Sequence, residues 1–295
     1  MKKILVTGAN GQVGSELQEL SILYQNRFEF IFTDRETFPL DDEAKMTSFF
    51  TANQPDYCIN CAAYTAVDKA ETEPEKAMQI NGTAVGVIAA LCKQYGTRLI
   101  HISTDYVFDG SSAFPLKEDA PVNPINRYGS SKLKGEELAV KESASSIIIR
   151  TSWVYSSYGN NFVKTMMRLM QQRDELKVVN DQIGAPTYAA DLANAILQIV
   201  DQLEIAGSST NTGGVYHYCN KGRISWYDFA IAIRDKIGSK CTVLPIPSSS
   251  YPTPAKRPAF SLMATDKIQR DFMVAVYPWE ESLDACLLKV QQYLA

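Results

Sequence analysis

The strongest constraint on this chain is an alternation of two kinds of segment. Short apolar runs at Ile4 to Thr7, Phe28 to Thr33, Tyr57 to Cys61, Leu99 to Ser103 and Ile147 to Thr151 are separated by helical patterns near 12–23, 42–52, 74–95 and 127–143. Unbroken apolar strands are covered on both faces, and strands separated by helices join through right-handed crossovers into a parallel sheet. The expected class is α/β. After about residue 155 the texture changes. Gly159-Asn160-Asn161 precedes a helix near 162–172, Gly184 to Thr187 precedes a helix from about Ala189, and Ser248 to Pro258 is a Pro- and Ser-rich loop.

Composition matters mainly for what it excludes. A formal net charge of -4 over 295 residues lacks the basic excess that nucleic acid or an anionic membrane surface would demand. Ile4, Leu5 and Val6 are too short a run for a secretory signal, and no stretch approaches a membrane span. The six cysteines are scattered, so a cytoplasmic chain with reduced thiols is expected. Cys58 and Cys61 form a C-x-x-C, but within an apolar strand-like run and with no second pair nearby, which favours strand packing over redox or zinc chemistry.

The first strand runs directly into Thr7-Gly8-Ala9-Asn10-Gly11-Gln12-Val13-Gly14 and then a helix. Glycines suit such a turn because the backbone must bend tightly, approach a pyrophosphate closely and let the helix pack on the strand. The helix N-terminus then offers unpaired N–H groups to phosphates. The spacing is G-x-x-G-x-x-G, a departure from the G-x-G-x-x-G dinucleotide pattern. Gly8, Asn10, Gly11, Gln12, Val13 and Gly14 are therefore expected to hold a dinucleotide. Asp34 ends the second strand twenty residues after Gly14, where an acid hydrogen-bonds the adenosine ribose. Arg35 follows and is placed to pair with a 2′-phosphate, so the pair is read as accepting both NADH and NADPH.

Residues 128–132 read Tyr-Gly-Ser-Ser-Lys on a helical pattern, which puts Tyr128 and Lys132 on one face. A free phenol has a pKa near about 10, and an adjacent ammonium stabilises the phenolate, so Tyr128 is expected to become a general acid-base with a lowered pKa. Upstream, Ser103 or Thr104 supplies a hydroxyl at the end of the fourth strand, the edge where open α/β sheets bind ligands.

Taken together, the glycine loop, the strand-end hydroxyls and the Tyr-Lys pair resemble the extended short-chain dehydrogenase/reductase family. Longer blocks narrow the match: Ser103 to Gly110, Asn60 to Glu71, Arg150 to Tyr155, Gly159 to Phe162, Asp181 to Thr187 and Arg257-Pro258 are similar to the dTDP-4-dehydrorhamnose reductase family over nearly the whole chain. The resemblance implies a Rossmann-type doubly wound parallel sheet with a smaller C-terminal substrate-binding lobe. Residues 1–155 would form the NAD(P)-binding domain, with about 176–205 returning to it, and 156–295 mainly the lobe. It also implies reduction of the C4 keto group of a dTDP-sugar by hydride from NADPH, or NADH. Tyr128 would protonate the oxygen, Thr104 hold it, and Lys132 bind the nicotinamide ribose and tune Tyr128. Asp105 and Trp153 would touch the sugar ring, although a core aromatic is the other reading of Trp153. Ser103, Ala62, Ala63 and Tyr64 would line the cofactor site, and Leu40 and Asp41 flank the adenine.

A homodimer is a further possibility that the resemblance raises. Some relatives join through a magnesium ion held by glutamates. Glu16 stands where one ligand would, Asp191 matches approximately, and Glu280-Glu281 has no assigned place, so no obligatory metal is expected. Two other functions share most of these residues: a non-catalytic NADP-binding regulatory subunit, which the intact Thr104, Tyr128 and Lys132 speak against, and a related sugar-nucleotide epimerase. A dehydratase would want an acid pair after the hydroxyl, whereas Asp105 is followed by Tyr106.

Overall fold

A computed structural model describes residues 1–206 and 212–294. The apolar runs become β1 (Lys2–Thr7), β2 (Phe28–Thr33), β3 (Tyr57–Asn60), β4 (Arg98–Thr104) and β5 (Ile147–Thr151). Among the described residues they form a six-stranded parallel sheet with a short edge strand, Gly214–His217, in the order Gly214–His217, β5, β4, β3, β1, β2. The sheet is thus doubly wound, and its winding reverses between β1 and β3, which opens a crevice at their C-terminal ends.

Alternation along each strand explains why these runs are apolar throughout. Ile4, Val6, Ile59, Ile100, Ile147 and Ile149 pack on one face with Leu17, Leu192 and Ile196. Leu5, Cys58, Leu99 and Ile148 pack on the other with Phe50, Ile88 and Cys92. Both faces are therefore buried beneath helices, as a parallel sheet requires. The Cys58 of the C-x-x-C is simply one of these packed side chains, and all six cysteines are free.

Helix starts follow their caps. Asp42 accepts from the Lys45 amide at the head of Glu43–Asn53, and Asn126 accepts from the Gly129 amide at the head of Arg127–Glu142. The stretch expected as one helix over 74–95 is continuous but carries a π turn at Gln79–Thr83, between Pro74–Met78 and Ala84–Tyr95. Gly135 of the neighbouring helix lies against this turn so tightly that a Cβ would stand 2.1 Å from the Asn81 carbonyl oxygen.

The second lobe has its own core, in which Tyr155, Val163, Met166, Leu176, Ile224, Phe229 and Trp279 are buried. Segments of 176–205 go to different cores. The helix Ala189–Ala206 does pack on the sheet through Leu192, Ile196 and Val200. Strand Glu175–Val179 instead pairs in parallel with Thr242–Ile246, and its Leu176 and Val178 belong to the lobe. Conversely Gly214–His217 and the helix Asp266–Phe272, both beyond 155, join the sheet domain through pairing with β5 and the burial of Ile268 and Phe272.

Candidate active site

A cleft of about 880 Å³ lies along the C-terminal ends of β1, β3, β4 and β5. At one end stands the glycine turn. Gly8 has φ +67° and lies so close to the turn after β3 that a Cβ would come within 2.7 Å of Ala62 backbone atoms. The amide of Gly11 donates to the Gly8 carbonyl, and Gly11 then caps the helix Gln12–Ser21 without any side-chain cap. The first-turn N–H groups thus remain available at the cleft, the arrangement that accepts a phosphate. Asn10, Gln12 and Val13 also line the cleft. Gly14 does not; its place is packing, since a Cβ there would stand 2.4 Å from the Gly8 carbonyl oxygen. These residues fit a dinucleotide, with a cradle that side chains would fill.

Asp34 and Arg35 border the same end, with Leu40 and Asp41 beside them and the buried Phe38, which the sequence reading missed. The Asp34 carboxylate accepts from the Glu36 and Thr37 amides and the Thr37 hydroxyl at 2.9–3.1 Å. The Thr37 bonds hold its pKa below the ordinary carboxylate value. The Arg35 guanidinium is exposed and 3.9 Å from Asp41. Ala62, Ala63 and Tyr64 line the middle of the cleft together with Cys61. Tyr64 is tied down at both backbone atoms by the buried Asn81 side chain, which also donates to the Ser131 hydroxyl. Asn81 sits on the π turn, an irregularity of the kind that clusters at functional sites and leaves no local signature in sequence.

The catalytic candidates converge beyond this. Tyr128 and Lys132 lie four apart on one face of Arg127–Glu142, and Thr104 ends β4. All three line the cleft. The pleat of β4 separates the two candidate hydroxyls. Ser103 turns its Oγ to the buried Glu136, at 2.5 Å, and Glu136 in turn pairs with Arg150. Thr104 faces the Tyr128 phenol and the Asp105 carboxylate, donating to Oδ1 at 3.1 Å.

One expectation is corrected by the electrostatics. Burial pushes the Tyr128 phenol up to about 12, with the nearby Thr104 hydroxyl opposing. No lowering by Lys132 is seen, because the Lys132 ammonium is turned away to the Ile102 carbonyl at 2.6 Å and to His101 Nε2 at 3.4 Å. Burial brings Lys132 itself down to about 8. The buried His101 ring is held neutral by the same desolvation, with the nearby ammonium adding to it.

At the far end Asp105 is 2 % exposed, its Oδ2 has no hydrogen-bond partner among the described residues, and burial raises its pKa to about 6. Trp153 lies beside it in the cleft with Trp226, Gly159 and Asn160. Trp226 was not foreseen; its only local signal is the Ser225–Asp228 capping box that starts its helix.

Glu16 and Asp191, the carboxylates weighed as magnesium ligands, are both engaged within the chain. Glu16 is buried and already accepts from Ser156 at 2.6 Å and from the Lys289 ammonium at 2.7 Å. Asp191 is occupied by Asn220 and Ser282. Among the described residues no group of three His, Cys, Asp or Glu side chains could hold a metal ion, and no helix is long and apolar enough to cross a membrane.

A doubly wound sheet with an open, glycine-lined helix N-terminus beside a Thr-Tyr-Lys cluster defines a nicotinamide-dependent oxidoreductase with the Rossmann fold. The family model described as the RmlD substrate binding domain matches residues 1–292. A dTDP-4-dehydrorhamnose reductase from Aggregatibacter actinomycetemcomitans is 40% identical over 289 residues, 96% of this chain and 97% of the relative. The structure of a dTDP-4-dehydrorhamnose reductase from Clostridium acetobutylicum superposes with TM-score 0.92 at 39% identity, covering 98% of this chain and 99% of the other. One from Bacillus anthracis, determined in complex with NADP, gives 0.91 at 36% identity, covering 98% and 100%. The chain belongs to the dTDP-4-dehydrorhamnose reductase family.

Proposed function

We propose that this enzyme reduces the C4 carbonyl of dTDP-4-dehydro-L-rhamnose to dTDP-L-rhamnose, with Tyr128 as the general acid. The observation that carries this reading is the convergence of the Thr104 hydroxyl, the Tyr128 phenol and the Lys132 ammonium in the cleft that the nucleotide turn borders. A bound nicotinamide nucleotide would supply the hydride. The phosphates would rest on the amides that open the helix Gln12–Ser21.

The protein's own groups then handle the proton. A phenol raised to about 12 stays protonated at neutral pH, so Tyr128 begins each turnover as a loaded donor. Thr104, which lines the cleft with it, is placed to turn its hydroxyl from Asp105 to the carbonyl oxygen as negative charge develops there. Lys132, lowered to about 8, loses and regains its proton near physiological pH, which suits it to steady and reload the phenol one helical turn away.

At the adenosine end the ionised Asp34 favours a free ribose, whereas the exposed Arg35 guanidinium offers a partner for a 2′-phosphate. NADPH is the expected donor, with NADH also used.

The test is loss of NADPH absorbance in the presence of the 4-keto sugar nucleotide. Wild-type protein should oxidise the cofactor, and Tyr128→Phe should turn over roughly a hundredfold or more slowly with cofactor binding retained. Folded wild-type protein that leaves NADPH untouched would reject the reading.

A further inference from the structure

Among the described residues three non-glycine positions have positive φ: Gln54, Trp153 and Met273. Gln54 and Met273 end helices, where a left-handed residue satisfies the last carbonyls. Trp153 ends none. It lies between β5 and the short strand Val154–Tyr155, with φ 49°, a conformation that a bulky side chain adopts only where its surroundings impose it.

Those surroundings come from the other lobe. Trp226 is the first residue of the helix Trp226–Lys236, and its ring lies on the Trp153 indole with centroids 3.7 Å apart and planes 12° from parallel. Phe162 braces Trp226 from another helix at 4.6 Å. Gly184, in the strand paired with Ile224–Ser225, is needed for the same reason: a Cβ there would stand 2.9 Å from Trp153 Cε2 and Cζ2. The Ser225–Asp228 capping box fixes the start of the helix that carries Trp226. Trp153 adjoins Val154, whose carbonyl accepts from Gln12 of the nucleotide turn, and both indoles line the cleft that Thr104 and Tyr128 share.

We infer that Trp226 is a positioning residue: stacked on Trp153, it fixes the indole against which a hexose ring packs beside Thr104 and Tyr128. The inference rests on the reading of the chain as a sugar-nucleotide reductase and goes beyond it by naming what orients the sugar. With one indole face covered by Trp226, rotation of the Trp153 side chain would break the stack, so the surface left for the apolar C–H face of a sugar is set before binding.

The experiment compares wild type with Trp226→Ala, Trp226→Leu and Trp226→Phe, by steady-state kinetics and circular dichroism. Two indoles stacked this closely give an exciton couplet, and Trp279, the third tryptophan of the chain, packs instead against Phe229. The couplet should vanish in every variant. Loss of the ring, in Ala or Leu, should raise KM for the sugar nucleotide about tenfold with a smaller fall in kcat and no change in KM for NADPH. Phe should restore most of the sugar KM. An active wild type whose Ala or Leu variant keeps the original sugar KM overturns the inference, as does a Phe variant no better than Leu. Leu preserves apolar volume and so carries the test even where Ala fails to fold. A folded wild type with no NADPH oxidation marks failure of the functional reading itself and takes the inference down with it.

Discussion

The two ends of the cleft are built by different means. At the proposed cofactor end the phosphate cradle is backbone: Gly8, Gly11 and Gly14 in one contiguous turn, each placed by what a Cβ would strike or what an amide must reach. The proposed sugar end is side chains drawn from far apart, with Asp105 after β4, Trp153 after β5 and Trp226 on a helix of the second lobe. A backbone cradle needs a fixed local spacing and works for any chain that supplies it. A side-chain wall depends on lobes meeting correctly. The contrast extends to the acids: Asp34 is held down by hydrogen bonds, whereas Asp105 is pushed up by burial.

The ends are not fully independent, and the largest expected effect tests their connection. Glu16 lies on the nucleotide helix, 1 % exposed, and its partner Lys289 comes from Trp279–Leu294 of the second lobe. Lys289→Ala would leave a buried carboxylate without its cation and should cost about 3 kcal/mol of stability in urea unfolding. Adding Glu16→Gln should recover part of that loss, because the amide no longer needs an ammonium. A single variant that melts like wild type would show that the lobes do not depend on this pair. A smaller effect is expected at Gly14→Ala, where the added methyl meets the Gly8 carbonyl oxygen at 2.4 Å. Overpacking there should cost about 2 kcal/mol and weaken NADPH binding while leaving the sugar KM alone. Equal loss at both substrates would break the division between the two ends.

That division also explains how much was legible in sequence. Strands buried on both faces read as apolar runs, so β1 to β5 and the turn after β1 stood out. The i, i+4 spacing placed Tyr128 and Lys132 on one face for the same local reason. What escaped depends on tertiary cover. The four-residue strand Gly214–His217 is too short to show a period, and Glu175–Val179 has strand pattern but no mark of which sheet it joins. The π turn that carries Asn81 follows from the neighbouring helix's close approach at Gly135 rather than from any residue within the turn. The direction of the Tyr128 shift went the other way because desolvation, invisible in a spacing, outweighs a lysine whose ammonium is spent on Ile102. Trp226 reaches Trp153 across 73 positions of sequence, and no local pattern announces that stack.

The smallest effect is also the sharpest probe of the contrast between the acids. Asp105 lines the cleft with a carboxyl that burial raises to about 6, so it is ionised at pH 7 and protonated at pH 5. A sugar hydroxyl donating to it gains a charge-assisted hydrogen bond only above that value. Binding favours the ionised form, and sugar affinity is therefore lost as pH falls through about 6. KM for the sugar nucleotide should rise several-fold, up to about tenfold, between pH 7 and pH 5. KM for NADPH should stay flat over this interval as far as Asp34 is concerned, since that carboxyl is held below the ordinary carboxylate range and does not titrate there. Asp105→Asn should bind sugar more weakly at pH 7 and lose the slope, because an amide has no proton to take up. A wild-type sugar KM that does not move between pH 5 and pH 7, measured with NADPH saturating, would mean that Asp105 makes no contact with substrate in its charged form.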